Sequence, residues 1–412
     1  MPKTYDTLVI GGGAAGLCAA IRLKQNNKNL SVAILEQLPR VAKKLITTGN
    51  GRCNITNRDI NINRYHGESV SFAEYALLKY DNTVIEDFFT TLGVPFFFDE
   101  QGRAYPYSLQ ASSVVDALRF ASEELGVEVF TQTIVSDYEK TQNGFSLKTS
   151  NGDFFGKTVI AAAGLCSGGK ALGSTGGLLS VFKKHGYSTV ATTPAIVQIK
   201  TEPTVVRSLK GIKVNADATL VVNKKTVRRE FGEVLFCDYG LSGPPVLQIS
   251  RAVERTAGAV SVVLDLMPEF SFGEIVNMLE LRSKNLSKRS LEEFFTGLLN
   301  KRVGQAIIKM CGLKLSDSVS TLKTADIKAL ADKIKRMSFA VTGTTGFDNS
   351  QVTAGGLNTD NFEENTMMSK REKGMYAVGE ILDIDGDCGG FNLQWAWSSA
   401  MCAADSIIEW LK

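Results

Sequence analysis

YDTLVIGGGAAGLCAAIRLKQNNKNLSVAILEQ, Tyr5–Gln37, decides the fold. Leu8, Val9 and Ile10 form a short apolar run suited to a buried parallel strand. Gly11, Gly13 and Gly16 then match G-x-G-x-x-G. The first glycine permits a tight turn, the second lets backbone approach a pyrophosphate, and the third lets helix and strand pack closely. The helix that opens with Ala14 and Ala15 aims free N–H groups and its positive dipole end at the phosphates. Val32–Leu35 makes the second strand. Glu36 closes it about 20 residues after the last glycine, where an acid bonds ribose hydroxyls. Strand, turn, helix and acid agree, so the stretch predicts a dinucleotide site rather than a merely structural βαβ turn. Glu36 repels a 2′-phosphate, which disfavours NADP here and leaves FAD or NAD.

The chain has 412 residues, enough for two or three domains, and 44% of them are hydrophobic. The net charge of +3 reads as evenly spread, which gives no electrostatic case for nucleic acid. No apolar run reaches the length of a membrane span, and no signal peptide is expected before the first strand. Seven dispersed cysteines, with no C-x-x-C pair and no metal spacing, suggest reduced thiols in the cytoplasm. Two histidines, His66 and His185, argue against a histidine-rich metal site or a His-based triad.

The polar stretch Pro39–Asn57 has little periodicity. A long polar loop in a compact domain is usually functional. Lys43, Lys44 and Arg52 are its phosphate-reaching candidates, and Asn54, Thr56 and Asn57 offer side-chain hydrogen bonds. Cys53 reads as a small packed residue rather than a redox thiol. Helices are expected near Phe72–Leu78 and Thr83–Leu92, then a hairpin turning at Gly102, then a helix from Ser112 and Ser113 to Gly126. Between Val127 and Phe155, VEVF, TIVSDYEK, GFSLKTS and DFFG read as a small antiparallel meander. Thr158–Gly164 returns as a buried strand. His185 ends a helix and suits its dipole.

From about Thr192 strand and helix stop alternating, and a second, β-rich domain begins. Gly273 to about Arg336 is mostly helical, with a capping box at Ser290 and Glu293 and a cap at Thr324. SFAVTGTTGF and QVTAGG lead back to the first domain. Met375–Val378 is then a buried strand ending at Gly379 and Glu380, DIDGDCGG is a loop, and a buried helix follows from Asn392. Asp383, Asp385 and Asp387 alternate in that loop but lack the closing acid of a calcium loop. No metal is expected.

TGNGRCNITN, GEVLFCDYGLSGPP, QVTAGG and YAVGEILDIDGDCGGFNLQWAWSSA resemble the BaiN-like NAD(P)/FAD-dependent oxidoreductases, also labelled aminoacetone oxidase-like. One member type of that family reduces 3-dehydro bile acids. The resemblance runs over nearly the whole chain. It implies an α/β protein: a Rossmann-type FAD-binding domain of the glutathione-reductase kind, with an antiparallel meander. That domain would span 1–191 and 342–412, and the insertion 192–341, as a β-barrel at 192–270 and helices at 271–336. It also implies residue roles. Gly11, Gly13, Ala14, Ala15 and Gly16 would hold the pyrophosphate, and Glu36 with Gln37 the adenosine ribose. Lys44, Arg52, Cys53 and Asn54 would wrap the cofactor, and the Val135 backbone would meet the adenine. Ala163 and Gly164 stand at the strand end where the usual A-T-G pattern lacks its threonine. Gly379 and Glu380 would meet the ribityl chain. Gly390, Phe391, Asn392 and Leu393 would open the last helix beneath the flavin pyrimidine. Cys388 stands where threonine is expected.

No second complete G-x-G-x-x-G unit exists, so no permanently bound nicotinamide is expected: NADH or NADPH binds as a transient donor, or another donor, or oxygen as acceptor, replaces it. The preferred reaction, on family analogy, is reduction of a C=C bond conjugated to a ketone in a steroid-like ring. Oxidation of a small amine is an alternative, and a flavin-binding or RNA-modifying accessory protein is another. Reduction needs a proton donor. Tyr105, Tyr107 and Tyr239 are candidates because each lies in a glycine- or proline-rich loop, against the plainer reading of tyrosines packed at a domain junction. The expected partner is a small molecule, with no nucleic acid and no membrane.

Overall fold

The computed structural model describes residues 3–412 and divides into two units, Met1–Pro194 with Phe347–Lys412, and Ala195–Gly346. Each has its own hydrophobic core.

In the first unit, β1 (Lys3–Ile10) is buried over its last four residues, as its apolar run requires. It feeds α1 (Ala14–Asn26), which starts from Gly13 with no side-chain cap. β2 (Val32–Leu35) pairs parallel to β1, with Thr7 opposite Val32 and Ile10 opposite Leu35. β3 (Glu128–Phe130) joins β2 in parallel at the sheet edge. The expectation that VEVF belongs to the meander is thus corrected. A three-residue, half-exposed strand carries the same alternation whichever neighbour it takes. β4 (Val135–Thr141) and β5 (Gly144–Thr149) form the antiparallel hairpin. DFFG and TVIAAAG are one strand, β6 (Phe154–Ala161), antiparallel to β5 and parallel to β1. The order is β3-β2-β1-β6-β5-β4, an α/β sheet with an antiparallel meander on one side.

The second unit is a closed barrel of β7 (Ile199–Thr201), β8 (Lys213–Val222), β9 (Lys225–Phe236), β10 (Gly240–Ser242), β11 (Val260–Asp265) and β12 (Met337–Thr344). β12 runs through SFAVTGT and closes the barrel instead of leading out of it. Between β11 and β12 lie α2 (Phe272–Asn285), α3 (Lys301–Met310) and α4 (Thr324–Lys335). The capping box forms at Ser271 and Glu274, not at Ser290 and Glu293. Ser290 opens only a 3-10 turn, in which the Glu293 N–H bonds to the Ser290 carbonyl at 3.1 Å rather than to the Ser290 hydroxyl, while the N–H groups of Leu291 and Glu292 bond to the carbonyls of Asp317 (2.8 Å) and Leu315 (2.9 Å). Thr324 is the first helical residue rather than the cap. Asp326 instead accepts the Lys323 N–H at 2.9 Å.

Back in the first unit, β13 (Met375–Ala377) pairs parallel to the second half of β6. α5 (Phe391–Trp410) is buried along most of its length, with Trp395, Trp397, Ala400 and Ala403 all inside.

Charge is not evenly spread. Ala195–Gly346 carries 23 Lys and Arg against 15 Asp and Glu, a net of +8, which leaves −5 for the rest of the chain. The overall +3 is the remainder of two opposite imbalances.

Candidate functional site

β1, β6 and β13 are parallel neighbours, so their carboxyl ends lie side by side, where open α/β sheets bind ligands. At the first end a Cβ on Gly16 would lie 1.9 Å from the Gly11 carbonyl oxygen. Helix and turn are therefore in direct contact. Gly11, at φ 103°, stands in a backbone region that L side chains avoid, and a Cβ there would meet the Ala162 oxygen and the Ala163 Cα, both at 2.7 Å. A Cβ on Gly13, by contrast, meets nothing within 4 Å. That open space faces the uncapped start of α1, with Ala14 and Ala15 in its first turn.

Glu36 is buried at the end of β2. Its carboxylate accepts the N–H groups of Gly12 and Leu38, both at 2.8 Å. Burial pushes its pKa up, and those backbone donors offset only part of the shift. Gln37 reaches away to the Gly173 carbonyl. The Gln132 and Thr133 N–H groups bond to Leu38 and Glu36 carbonyls, so the segment leading to Val135 runs beside the same strand end. Val135 itself opens β4, opposite Thr149.

At the end of β13, Glu380 is held by Lys44, by the Ser167 hydroxyl at 2.6 Å and by the Thr353 N–H at 2.8 Å. Burial works against its charged form. The Lys44 ammonium, with Ser167 and Thr353, overrides it and holds the carboxyl below its ordinary range. Gly164 borders this pair: a Cβ there would lie 3.2 Å from a Glu380 oxygen and 3.9 Å from Lys44 Nζ. Ser167 and Thr353 were not singled out from sequence. The signal for Ser167 was its place at the edge of the glycine-rich run from Gly168.

The polar loop and the last helix meet. A Cβ on Gly390 would lie 2.3 Å from the Thr56 carbonyl and 2.8 Å from Asn54 Oδ1. Asn57 donates to the Gly389 carbonyl at 2.8 Å, and Trp397 to the Ile55 carbonyl at 3.0 Å. Phe391 accepts from Tyr65, and Asn392 ties down Gly386 through both ends of its amide. Leu393 packs on the core. α5 starts at Gly390 with no side-chain cap. Asn54 Oδ1 is buried without a hydrogen-bond partner. Gly379 packs its backbone on Ala15, and its N–H and carbonyl bond to Ser399 and Trp395. Cys53 is buried at positive φ, with its thiol pushed up to about 12 by burial, so it is a packed group and no thiolate.

The three tyrosines separate. Tyr107 is 69% exposed and lines a surface cleft with Leu92, Pro95 and Phe120. Tyr239 lies in the second unit, where its carbonyl accepts the Thr201 N–H. Tyr105 is buried on the hairpin strand Ala104–Pro106, which bonds through Ala104 to Ile55 and Thr56. The Arg52 and Arg103 guanidiniums lie 5.0 and 5.8 Å from its ring centre. Its hydroxyl makes no hydrogen bond among the described residues. Burial raises its pKa, and the two arginines oppose the rise.

Two uncapped helix starts, an open space at Gly13 and an orphaned Asn54 oxygen make a cradle suited to an anionic dinucleotide carrying a polar ring system. Among the described residues no cluster of His, Cys, Asp or Glu is arranged to hold a metal, and no helix is long and apolar enough to cross a membrane.

Comparison with known proteins agrees with this geometry. Residues 5–406 match the family described as HI0933-like protein Rossmann domain, and the chain belongs to it. The 3-dehydro-bile acid delta(4,6)-reductase of Clostridium scindens is 31% identical over 404 residues, 97% of this chain and 98% of that one. The ribosomal RNA dihydrouridine synthase of Haemophilus influenzae is 29% identical over 413 residues, 99% of each chain. The 3-ketosteroid delta1-dehydrogenase of Sterolibacterium denitrificans shares the fold, with a TM-score of 0.51 and 13% identity over 99% of this chain and 100% of that one. The protein is a FAD-dependent oxidoreductase.

Proposed function

We propose that this enzyme reduces a ring C=C bond conjugated to a carbonyl, with NADH or NADPH as the transient donor. One observation carries the reading. Two full-length relatives are named for different substrates, yet their names describe one kind of change. A 3-oxo-4,6-diene and the C5=C6 bond of uracil are both ring double bonds conjugated to a carbonyl. Each takes a hydride at the far carbon and a proton at the near one. A steroid-like ring is the first reading, following the relative above 30% identity. Uridine in RNA is the second, favoured by the +8 charge of the second unit.

Bound FAD supplies the hydride from its N5 position. The chain's own residues do the rest. Gly11–Gly16 and the start of α1 take the pyrophosphate, and Glu36 the ribose hydroxyls. Glu380 and Lys44 take the ribityl region. The free N–H groups at the start of α5 favour negative charge on the ring nearest them, by roughly 0.3–2 kcal/mol. Tyr105 gives the proton: its pKa keeps the hydroxyl protonated at neutral pH, and Arg52 and Arg103 ease its ionisation. Water then restores that proton.

Anaerobic mixing of the yellow holoenzyme with NADH or NADPH tests this. Bleaching, followed by colour return on adding a 3-oxo-4,6-diene bile acid or a uridine-containing RNA, is expected. Bleaching by neither donor would defeat the reductase reading.

A further inference from the structure

We propose that Arg52 is a further catalytic residue: its guanidinium binds the carbonyl oxygen of the ring substrate and holds the negative charge that hydride addition puts there. The inference rests on the reductase reading for its substrate.

The turn before Arg52 decides where it stands. Gly49 and Asn50 lie one after the other in the left-handed region, at φ 57° and 55°, and Gly51 follows at φ 80°. The chain therefore folds back on itself, and the Arg52 and Cys53 N–H groups close on the Gly49 and Thr48 carbonyls at 3.2 and 3.0 Å. Gly49 is wedged in place: a Cβ there would lie 2.9 Å from the Asn54 nitrogen and 3.4 Å from Tyr105 Cε1. One turn thus serves two neighbours. It carries Asn54 to the start of α5, where its orphaned oxygen would lie 2.8 Å from a Cβ on Gly390. It also sets the Arg52 guanidinium 5.0 Å from the centre of the Tyr105 ring.

The charge of Arg52 is uncommitted. Arg103, the other cation beside Tyr105, is spent on Asp99, with Nε and a terminal nitrogen 2.8 and 2.7 Å from one carboxylate oxygen. The exposed Arg52 side chain makes one long hydrogen bond among the described residues, from Nε to the Gly49 carbonyl at 3.4 Å, and no ion pair. Its terminal nitrogens keep their donors for a ligand. Exposure alone is ordinary for an arginine. What singles out Arg52 is its place: a free cation held beside a buried tyrosine whose hydroxyl has no partner among the described residues, at the α5 end of the cradle.

The reaction calls for such a group. Hydride adds to the far carbon with its electron pair. The C=C pair shifts toward the carbonyl carbon, and the carbonyl pair moves onto oxygen, which becomes an enolate. In a 3-oxo-4,6-diene and in uracil alike, the charge ends on a ring carbonyl oxygen. The near carbon then takes the Tyr105 proton, the carbonyl re-forms, and water reprotonates the tyrosine. The hydride brings both electrons, drawn from NADH or NADPH through the bound flavin, and the tyrosine brings the proton. A guanidinium suits the oxygen because it stays charged at any working pH and offers N–H donors in a fixed fork. Charge met only as it develops speeds the step rather than tightening substrate binding.

The test uses the FAD-loaded full chain with 4-nitrophenol, whose oxygen imitates an enolate and whose absorbance reports its ionisation. Bound to the oxidised wild type, the phenol should ionise at a pH about 1–3 lower than when bound to Arg52→Gln. Arg52→Lys, which keeps the charge, should retain part of that difference. With whichever ring substrate restores the flavin colour, Arg52→Gln should slow reoxidation about 10²- to 10³-fold. Its FAD dissociation constant and its bleaching by the donor should stay within twofold of wild type. Flavin absorbance and melting temperature confirm that each variant is folded. A wild type that does not bind the phenolate would overturn the proposal, and so would equal ionisation of the phenol in wild type and Arg52→Gln. A weaker FAD dissociation constant with unchanged phenol ionisation would also overturn it and return Arg52 to the cofactor. Flavin bleaching on the same preparations reports on the reductase reading separately. The phenol titration needs no donor, so it judges Arg52 even where neither NADH nor NADPH bleaches the flavin.

Discussion

Gly13→Ala and Gly16→Ala are the same chemical change three residues apart, and they should fail in opposite ways. At Gly16 the new Cβ would sit 1.9 Å from the Gly11 carbonyl oxygen and 3.2 Å from a Val9 methyl. Relief to even 3.0 Å needs α1 and the turn to separate by more than an ångström, and both neighbours are fixed, one of them backbone. Overpacking of this kind costs about 1–3 kcal/mol. A melting temperature falls by about 2–4 °C per kcal/mol in domains of 150–250 residues, so the apoprotein should melt roughly 2–12 °C lower. At Gly13 the backbone is extended, at φ −82° and ψ −167°, and a Cβ meets nothing within 4 Å. The fold should lose no more than about 1 kcal/mol through a poorer helix start. The methyl would occupy the space reserved for the pyrophosphate. Loss of one hydrogen bond to a charged group, about 1.5–3 kcal/mol, would weaken FAD roughly 10- to 150-fold. Calorimetry of the apoproteins and FAD titration by fluorescence quenching separate the two effects. Wild-type FAD affinity in Gly13→Ala, or equal destabilisation by both variants, would refute the assignment of this turn as a cofactor cradle.

Tyr105→Phe should bind FAD and bleach normally, yet reoxidise on the ring substrate about 10²- to 10⁴-fold more slowly. Tyr107→Phe and Tyr239→Phe should stay within twofold, and stopped-flow absorbance resolves the steps. Asn54→Ala removes an oxygen that has no partner in the described structure, so the apoprotein should melt no lower than wild type while its FAD dissociation constant rises. Glu380 has its folded-state pKa lowered, so its contribution to stability is present above the ordinary carboxylate range and is lost as pH falls through the folded value. Glu380→Gln should therefore flatten the acid side of a melting-temperature profile, and a profile parallel to wild type would remove Glu380 from that role. Lys44→Met should destabilise by about 1–3 kcal/mol, less than for a fully buried pair because Lys44 is partly solvated, with Glu380→Gln restoring part of the loss.

Sequence reading went furthest where the physics is short-ranged. The glycines at 11, 13 and 16 and the carboxylate at 36 lie within one βαβ unit, so spacing alone specifies which backbone is close to what. It went wrong where a neighbour distant in sequence arbitrates. Ser290 and Glu293 have the spacing of a capping box, but the carbonyls of residues 317 and 315 hold Leu291 and Glu292, and the Glu293 N–H closes a 3-10 turn on the Ser290 carbonyl. VEVF had no local sign of its partner, since β2 lies nearly a hundred residues earlier. Tyr105, Tyr107 and Tyr239 are indistinguishable by flanking residues, and only packing buries one of them beside two guanidiniums.

By itself the sequence determined the dinucleotide cradle, the succession of an α/β and a β-rich unit, and the family. These rest on steric demands of adjacent backbone and on side-chain periodicity, both of which are local. Only the tertiary structure decided that Lys44 answers Glu380 across 336 residues, that Asn54 is left with an unsatisfied oxygen, and that positive charge is concentrated in one unit. A charge in water costs little wherever it falls in the chain. What it faces after folding depends on which distant segments burial brings together.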